Sequence, residues 1–189
     1  MADVKLLMCN TSNVQEMKFG RPQTVLNDEE RPNGVIVTLG ATKEASGREL
    51  DHCRTVTEGA LTEVVGAFII VAPEVNVEQY RIIDGQIGKF RLEAGETYSA
   101  YMLSKYDRLE YSDGYFVEAS ALKVGDKVNV QAKGDNGERF VKAVSDGCMR
   151  VVSKTPLWLP VMLQANTSAG QPITLMPQSC EMIKLEIEA

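Results

Sequence analysis

The residues of this chain that are able to support nucleophilic or metal chemistry are few and scattered. The chain has a single histidine, His52, and four cysteines, Cys9, Cys53, Cys148 and Cys180. Neighbouring residues of a strand point to opposite faces, so His52 and Cys53 are badly placed to act together as base and nucleophile. The cysteines also lack the short Cys-x-x-Cys spacing of a structural zinc site. We therefore expect no enzymatic activity, no cofactor, no bound metal, and reduced, partly buried thiols.

Three closely spaced carboxylates, Asp107, Glu110 and Asp113, are the remaining candidates for acid–base chemistry. The set lacks the alternating oxygen ligands and central glycine of a calcium loop. Spacing alone does not identify a catalytic pair, and solvent-facing turn carboxylates are the favoured interpretation. The glycine pairs in 85–88 and 134–137 are not followed by Lys-Ser/Thr, so they indicate turns and not phosphate cradles.

The composition is that of an acidic globular protein. Of its 189 residues, 44% are hydrophobic and 24% charged, and the net charge is −6. An acidic chain with few aromatic rings is a poor non-specific binder of nucleic acid or of an anionic membrane. The longest apolar run, Val64 to Pro73, is about half of the ~20 residues that a transmembrane helix needs. The first residues do not resemble a signal peptide, so we expect synthesis in the cytoplasm.

Regularly spaced turn signals predict an all-β fold, a small β-barrel or sandwich. The signals follow one another roughly every 10 residues, at 84–85, 93–95, 112–114, 124–126, 134–137 and 145–147. We expect an N-terminal arm and strands in 1–59, a barrel or sandwich core in 60–154, and a C-terminal extension with a final strand in 155–189. Ala60 to Val71 is ambiguous between a helix and a strand, and its Val and Ile content favours a strand.

Individual strands are predicted from their side-chain alternation. Val35 to Leu39 is rich in β-branched residues. Lys127 to Ala132 alternates and leads through Asn136-Gly137, a strong hairpin signal, into 138–144. Met182 to Ile187 alternates as a final strand.

The C-terminal extension begins with the apolar segment Leu157 to Leu163, in a region that is crowded with prolines. The segment has no amphipathic period. Two interpretations stay open: it belongs to the core, or it is an apolar contact surface for another subunit, where Trp and Met are enriched.

Part of the chain resembles a group of tailed-bacteriophage head proteins. The similar stretches are Phe90 to Ser99, then Gly114 to Val117, then Leu122 to Val128, followed by Arg139-Phe140-Val141. The resemblance covers about residues 90–141. It implies a capsid decoration, or cement, protein that binds the major capsid protein lattice and neighbouring copies of itself on the virion surface. The resemblance assigns no individual functional residue. The expectation of no nucleic-acid and no membrane partner comes from the acidic composition.

A decoration protein of this kind is expected to bind through its termini, because barrel strands commit alternate side chains to their own core. The candidate interface residues are the larger apolar side chains of the two ends: Leu6, Leu7, Met17, Phe19, Trp158 and Met162. Deletion of residues 1–26 is then expected to abolish binding and to leave the barrel intact. Two alternatives remain: a β-domain of a bacterial assembly that binds oligosaccharide or peptide, and an enzyme that uses Asp107, Glu110 or Asp113.

Overall fold

The all-β prediction is confirmed. The protein is described here by a computed structural model that covers residues 7–20, 22–42, 53–72, 90–135, 137–162 and 175–189; at Phe19, 158–162 and 175–178 it describes the backbone alone. The elements in chain order are β1 Cys9–Asn13, α1 Gln15–Phe19, β2 Gln23–Leu26, β3 Arg31–Pro32, β4 Ile36–Thr42, β5 Arg54–Thr57, β6 Phe68–Val71, β7 Arg91–Leu92, β8 Thr97–Met102, β9 Arg108–Ser112, 3-10 turns at Asp113–Tyr115 and Ala119–Ala121, β10 Lys127–Val130, β11 Phe140–Lys142, β12 Met149–Met162 and β13 Leu175–Ile187.

Five strands close into a barrel in the order β2-β5-β4-β6-β8. Its interior is filled mainly by small and β-branched side chains, including Val25, Val37, Val56, Ile70 and Ala100. The barrel therefore draws its strands from residues 23–102, whereas the sequence suggested a core unit in 60–154. Strands β2, β4 and β5 come from the region that was assigned to an N-terminal arm and strands.

The second layer is a six-stranded sheet in the order β1-β9-β13-β12-β10-β11. Its buried face carries a larger core, in which Tyr111, Tyr115, Phe116 and Phe140 form a continuous aromatic cluster with ring centroids 4.7–6.3 Å apart. Tilted rings at these distances are the favourable arrangement for aromatic pairs. Of the described strands, both the first, β1, and the last, β13, belong to this sheet, so the sheet joins distant parts of the chain.

The predicted hairpin of 127–144 is present, since β10 pairs antiparallel with β11. The ambiguous segment Ala60 to Val71 forms no helix and ends in strand β6. The predicted final strand is longer than expected, because β13 begins at Leu175 and not at Met182. The apolar segment that starts at Leu157 continues β12, which runs without a break through its prolines.

The turn Asn33-Gly34 joins the two layers. The hydroxyls of Tyr111 and Tyr115, from the sheet, donate hydrogen bonds to the carbonyls of Gly34 and Asn33. The Asn33 side chain also exchanges two hydrogen bonds with the backbone of Ala72, at 3.0 and 3.1 Å. Because the groups involved are buried, each of these bonds satisfies a donor or acceptor that would otherwise be costly to desolvate.

A buried ion cluster lies across the same junction. Glu58 directly follows barrel strand β5, and its carboxylate lies between the guanidinium groups of Arg31 and Arg139. Arg31 and Arg139 are each 3% exposed, and Arg31 also contacts the exposed carboxylates of Asp28 and Glu29. A charge that is buried this deeply needs a partner, so the cluster fixes the relative position of three separate chain segments.

Candidate interaction surface

The three candidate carboxylates are not brought together. Asp107 is buried just before β9, where its side chain accepts hydrogen bonds from the backbone N–H groups of Gln15 (3.0 Å) and Ser104 (2.8 Å). Glu110 lies within β9, and Asp113 begins the 3-10 turn that follows it. A strand rises about 3.3 Å per residue, so Asp107 and Asp113 are separated by roughly 20 Å. Asp107 thus fastens the start of α1 to the turn before β9.

The four cysteines form no disulfide bond, and three of them, Cys53, Cys148 and Cys180, are buried. Burial raises the pKa of the Cys148 and Cys180 thiols above the usual value, which keeps them protonated and unreactive near neutral pH. His52 lies outside the described residues, so the His52–Cys53 pair does too. Within the part of the chain that the structure describes, no three His, Cys, Asp or Glu side chains are grouped as a metal site requires. None of the described helices has the length and apolarity to cross a bilayer.

The N-terminal candidates are placed within the fold from Leu7 onward. Leu7 is buried in the core of the sheet, Met17 packs against that core, and Phe19 ends helix α1. Leu6 lies outside the described residues. Strand β1 pairs with β9 and strand β2 closes the barrel between β5 and β8. The described residues between 7 and 26 therefore do not form the extended arm that was expected, because buried apolar side chains among them belong to the two cores.

The C-terminal candidates, Trp158 and Met162, lie in the outer half of an unusually long hairpin. Strands β12 and β13 stay paired from Met149↔Ile187 to Met162↔Leu175. The flanking strands end much earlier, since β10 reaches β12 only at Met149 and Arg150 and β9 reaches β13 only from Met182 onward. Beyond that point, in the described residues, 157–162 and 175–180 pair only with each other. We call this two-stranded segment, 157–162 with 175–180, the distal ribbon.

Both faces of the distal ribbon are mainly apolar. Residues directly opposite each other share a face and faces alternate along a strand. The Leu face consists of positions Leu157, Leu159, Val161, Met176, Gln178 and Cys180, and the Trp face of positions Trp158, Pro160, Met162, Leu175, Pro177 and Ser179. The two C-terminal candidates thus share one face. Isolated two-stranded hairpins are at best marginally stable in water, so an apolar ribbon of this kind favours a contact role.

The edges of the distal ribbon are blocked by its prolines. The N–H of Ile187 donates to the carbonyl of Asp107 and that of Val151 donates to the carbonyl of Asp126, so both N–H groups point away from the other strand of the hairpin. Because the N–H direction alternates along a strand, every second residue of β13 counted from Ile187 also has an N–H that points outward, which gives positions 181, 179, 177 and 175. Their partners across the ladder, including Pro156 and Pro160, are outward as well. A proline has no N–H to offer, so addition of a further strand to either edge is disfavoured.

The root of the ribbon is held by charged side chains. The Lys154 ammonium lies 2.8 Å from a Glu181 oxygen on the opposite strand and donates to the carbonyls of Ala119 and Leu122, each at 3.1 Å. The ammonium group has three N–H donors, which matches these three acceptors, and only 16% of the side chain is exposed. The direction in which the ribbon leaves the sheet is therefore fixed at its base.

Sequence reasoning identified the apolar segment of the ribbon but not its second strand. The prolines in 156–177 suggested a broken chain, because proline is usually excluded from strands. The available signal was their spacing: Pro156 and Pro160 are four residues apart, so they occupy equivalent edge positions of one strand. Pro177 faces Pro160 directly across the ladder.

The chain was compared with models of known protein families, with curated proteins and with solved structures, and none of the three comparisons found a match. The functional interpretation therefore rests on the residues and geometry described above.

Proposed function

We propose that this chain is a non-catalytic structural protein that decorates the head of a tailed bacteriophage by binding the lattice of its major capsid protein. The observation that favours a binding role is the distal ribbon, which carries apolar positions on both faces and no neighbouring strand among the described residues. The resemblance over residues 90–141 supplies the identity of the partner.

The Trp face is the part of the ribbon that we assign to the capsid. It continues the buried face of the sheet, since Ile183, Leu185 and Ile187 occupy equivalent positions of β13 and are 0% exposed. Trp and Met are among the residues enriched at protein interfaces, and aromatic anchors commonly dominate the binding energy. Each fully buried anchor contributes roughly 1.5–3 kcal/mol, so Trp158 and Met162 act together with Leu175 on this face.

The proposal is tested by co-sedimentation of the purified protein with undecorated phage shells. We expect the wild type to pellet with the shells to a saturating ratio, and we expect Trp158→Glu to stay in the supernatant. Val144→Glu is the matched control, because Val144 is fully exposed on a turn outside the ribbon and the variant introduces the same charge. A wild-type protein that never pellets with shells would refute the decoration role.

A further inference from the structure

The distal ribbon leaves the sheet at a short root. The Val151 N–H donates to the carbonyl of Asp126, and the Val151 carbonyl accepts the N–H of Gly125, at 2.9 and 2.8 Å. Directly after these bonds, the register of β12 against β13 shifts between Val151 and Ser153, as it does at a β-bulge. On the other strand, Met182 is the outermost residue of β13 that pairs with β9. A bulge bends its strand, so the direction of the ribbon depends on contacts that lie beyond it.

Lys154 makes such a contact with a loop of the protein body, residues 117–122, which we call the anchor loop. Its ammonium nitrogen lies 3.1 Å from each of the carbonyl oxygens of Ala119 and Leu122 and 2.8 Å from a carboxylate oxygen of Glu181. Two of the three acceptors therefore belong to the body, and the third belongs to the opposite strand of the hairpin. The contact ties both strands of the ribbon to the anchor loop.

The anchor loop gives this contact a rigid base. At one end of the loop, the Val117 N–H donates to the carbonyl of Phe140 at 2.9 Å. At the other end, the Leu122 side chain is 3% exposed and belongs to the core of the sheet. The 3-10 turn Ala119–Ala121 lies between them, and the Leu122 N–H closes it on the carbonyl of Ala119 at 3.2 Å. The two carbonyls that accept from Lys154 are therefore fixed to the body of the protein.

Lys154 occupies the same face of the hairpin as Trp158. Side chains alternate along a strand, so positions 154, 156 and 158 share one face. Directly opposite Lys154, Ile183 is 0% exposed at the end of the buried face of the sheet. Immediately beyond Lys154, residues 155–157 are exposed. Lys154 thus marks the point at which the covered face of the sheet becomes the Trp face.

We propose that Lys154 is a positioning residue for capsid binding, because it fixes the direction of the ribbon and so presents the Trp face to the shell in one orientation. All three donors of its ammonium group have acceptors within the protein, so none is left for a partner and Lys154 acts through the ribbon. A ribbon that swings is in the binding-competent direction for only part of the time, and the apparent dissociation constant rises in inverse proportion. The capsid as partner rests on the proposed function, whereas the direction of the ribbon is measurable without shells.

Time-resolved fluorescence anisotropy of Trp158, the only tryptophan of the chain, measures the motion of the ribbon in the purified protein. Lys154→Met keeps an unbranched apolar side chain and removes the ammonium group. We expect the wild-type decay to contain rotation of the indole and tumbling of the whole molecule, and we expect Lys154→Met to add segmental motion on the nanosecond timescale. Lys142→Met is the matched control, because it removes the same charge from an ion pair with Asp126, at 2.7 Å, outside the ribbon. An unchanged decay in Lys154→Met would overturn the anchoring role.

Co-sedimentation with undecorated shells then tests the consequence for binding. If the swinging ribbon is in the competent direction for about a tenth of the time, the dissociation constant of Lys154→Met rises roughly tenfold, at an unchanged saturating ratio. Lys142→Met should bind like the wild type. Added ribbon motion with unchanged affinity would overturn the positioning role, and so would weakened binding by a ribbon that stays rigid. A wild type that never pellets would refute the decoration role and with it the capsid part of this proposal, while the anchoring of the ribbon is decided by the anisotropy alone.

Glu181→Gln is a milder second variant, which keeps the inference testable if Lys154→Met does not fold. The Glu181 side chain is 36% exposed, and its replacement leaves the two carbonyl contacts of Lys154 in place. We expect a thermal midpoint close to that of the wild type. Both the segmental motion and the dissociation constant should lie between those of wild type and Lys154→Met. A folded Glu181→Gln whose ribbon motion increases while its affinity does not fall would overturn the proposal.

Discussion

At the residue scale, Gly34 is a position with little freedom to change. Its φ is +81°, and a Cβ atom there would collide with the side chain of Cys9. Its carbonyl also accepts the Tyr111 hydroxyl across the junction of the two layers. The turn therefore needs glycine both for its backbone angle and for the space beside Cys9.

We expect Gly34→Ala to lower the free energy of unfolding by about 2–4 kcal/mol, from backbone strain plus overpacking. Urea denaturation measures the loss. Gly20→Ala is the control, because Gly20 has φ +63° but nothing within 4 Å of an added Cβ. If the two variants lose the same free energy of unfolding, the collision with Cys9 is relieved without a measurable loss of stability.

A second residue-scale prediction concerns acid stability. Hydrogen bonds from Arg108 and then from Arg150 lower the pKa of Glu186 below its usual 4.5. A lowered folded-state pKa stabilises the protein above the unfolded value and loses that contribution as pH falls through the folded one. We therefore expect the thermal midpoint of the wild type to fall below about pH 4.5 more steeply than that of Glu186→Gln.

Arg108 and Arg150, the two partners of Glu186, are about half exposed, so solvent screens their stabilisation of the carboxylate. Raising the salt concentration should therefore shrink the difference between wild type and Glu186→Gln. Glu63→Gln, at an exposed site, is the matched control and should follow the wild type. If the thermal midpoints of Glu186→Gln and wild type fall in parallel as the pH is lowered, the ion pairs of Glu186 have no stabilising role.

At the element scale, the distal ribbon depends on where its prolines fall. Pro160 and Pro177 face each other at a position whose N–H groups would point outward. They leave the ladder complete and remove donors from both edges. Exposed strand edges with regular donors promote aggregation, and proline is one way in which natural sheets prevent it.

We therefore expect the double variant Pro160→Thr/Pro177→Thr to remain folded and to aggregate faster, because two outward N–H groups are restored. Light scattering during incubation at moderate temperature measures the rate. Ser179→Thr is the control, since it raises strand propensity on the same segment without adding a donor. Equal aggregation rates in wild type and double variant would show that the prolines do not protect the edges.

At the scale of the whole molecule, the sequence predicted elements better than their pairing. Turn signals and alternation located the β10–β11 hairpin and the last strand, because both depend on local residues. They did not predict that β2, β4 and β5 close a barrel with β6 and β8, since contacts between distant segments leave no local pattern. Only one strand of the ribbon was indicated by the sequence: Leu157 to Leu163 was identified as an apolar segment, whereas the partner strand that begins at Leu175 was not predicted.

The same long-range pairing changes the expectation for truncation at residue 26. Removal of residues 1–26 takes away β1 and β2 together with the buried side chains of Val14 and Val25. We expect this deletion to abolish the cooperative thermal transition, measured by circular dichroism, in place of the intact barrel that the sequence suggested. Deletion of residues 1–6 is the comparison. A truncated chain that melts near the wild-type midpoint would contradict the barrel topology.

The central claim, that the Trp face of the ribbon contacts the capsid, is tested most directly at Trp158, which is the only tryptophan of the chain. Replacing it biosynthetically with 5-hydroxytryptophan allows excitation that the capsid tryptophans do not share. On titration with undecorated shells, we predict that its emission changes to that of a solvent-shielded indole and that it is protected from an added quencher, both saturating together with co-sedimentation. Emission and quenching that stay unchanged while the protein pellets with the shells would contradict the account.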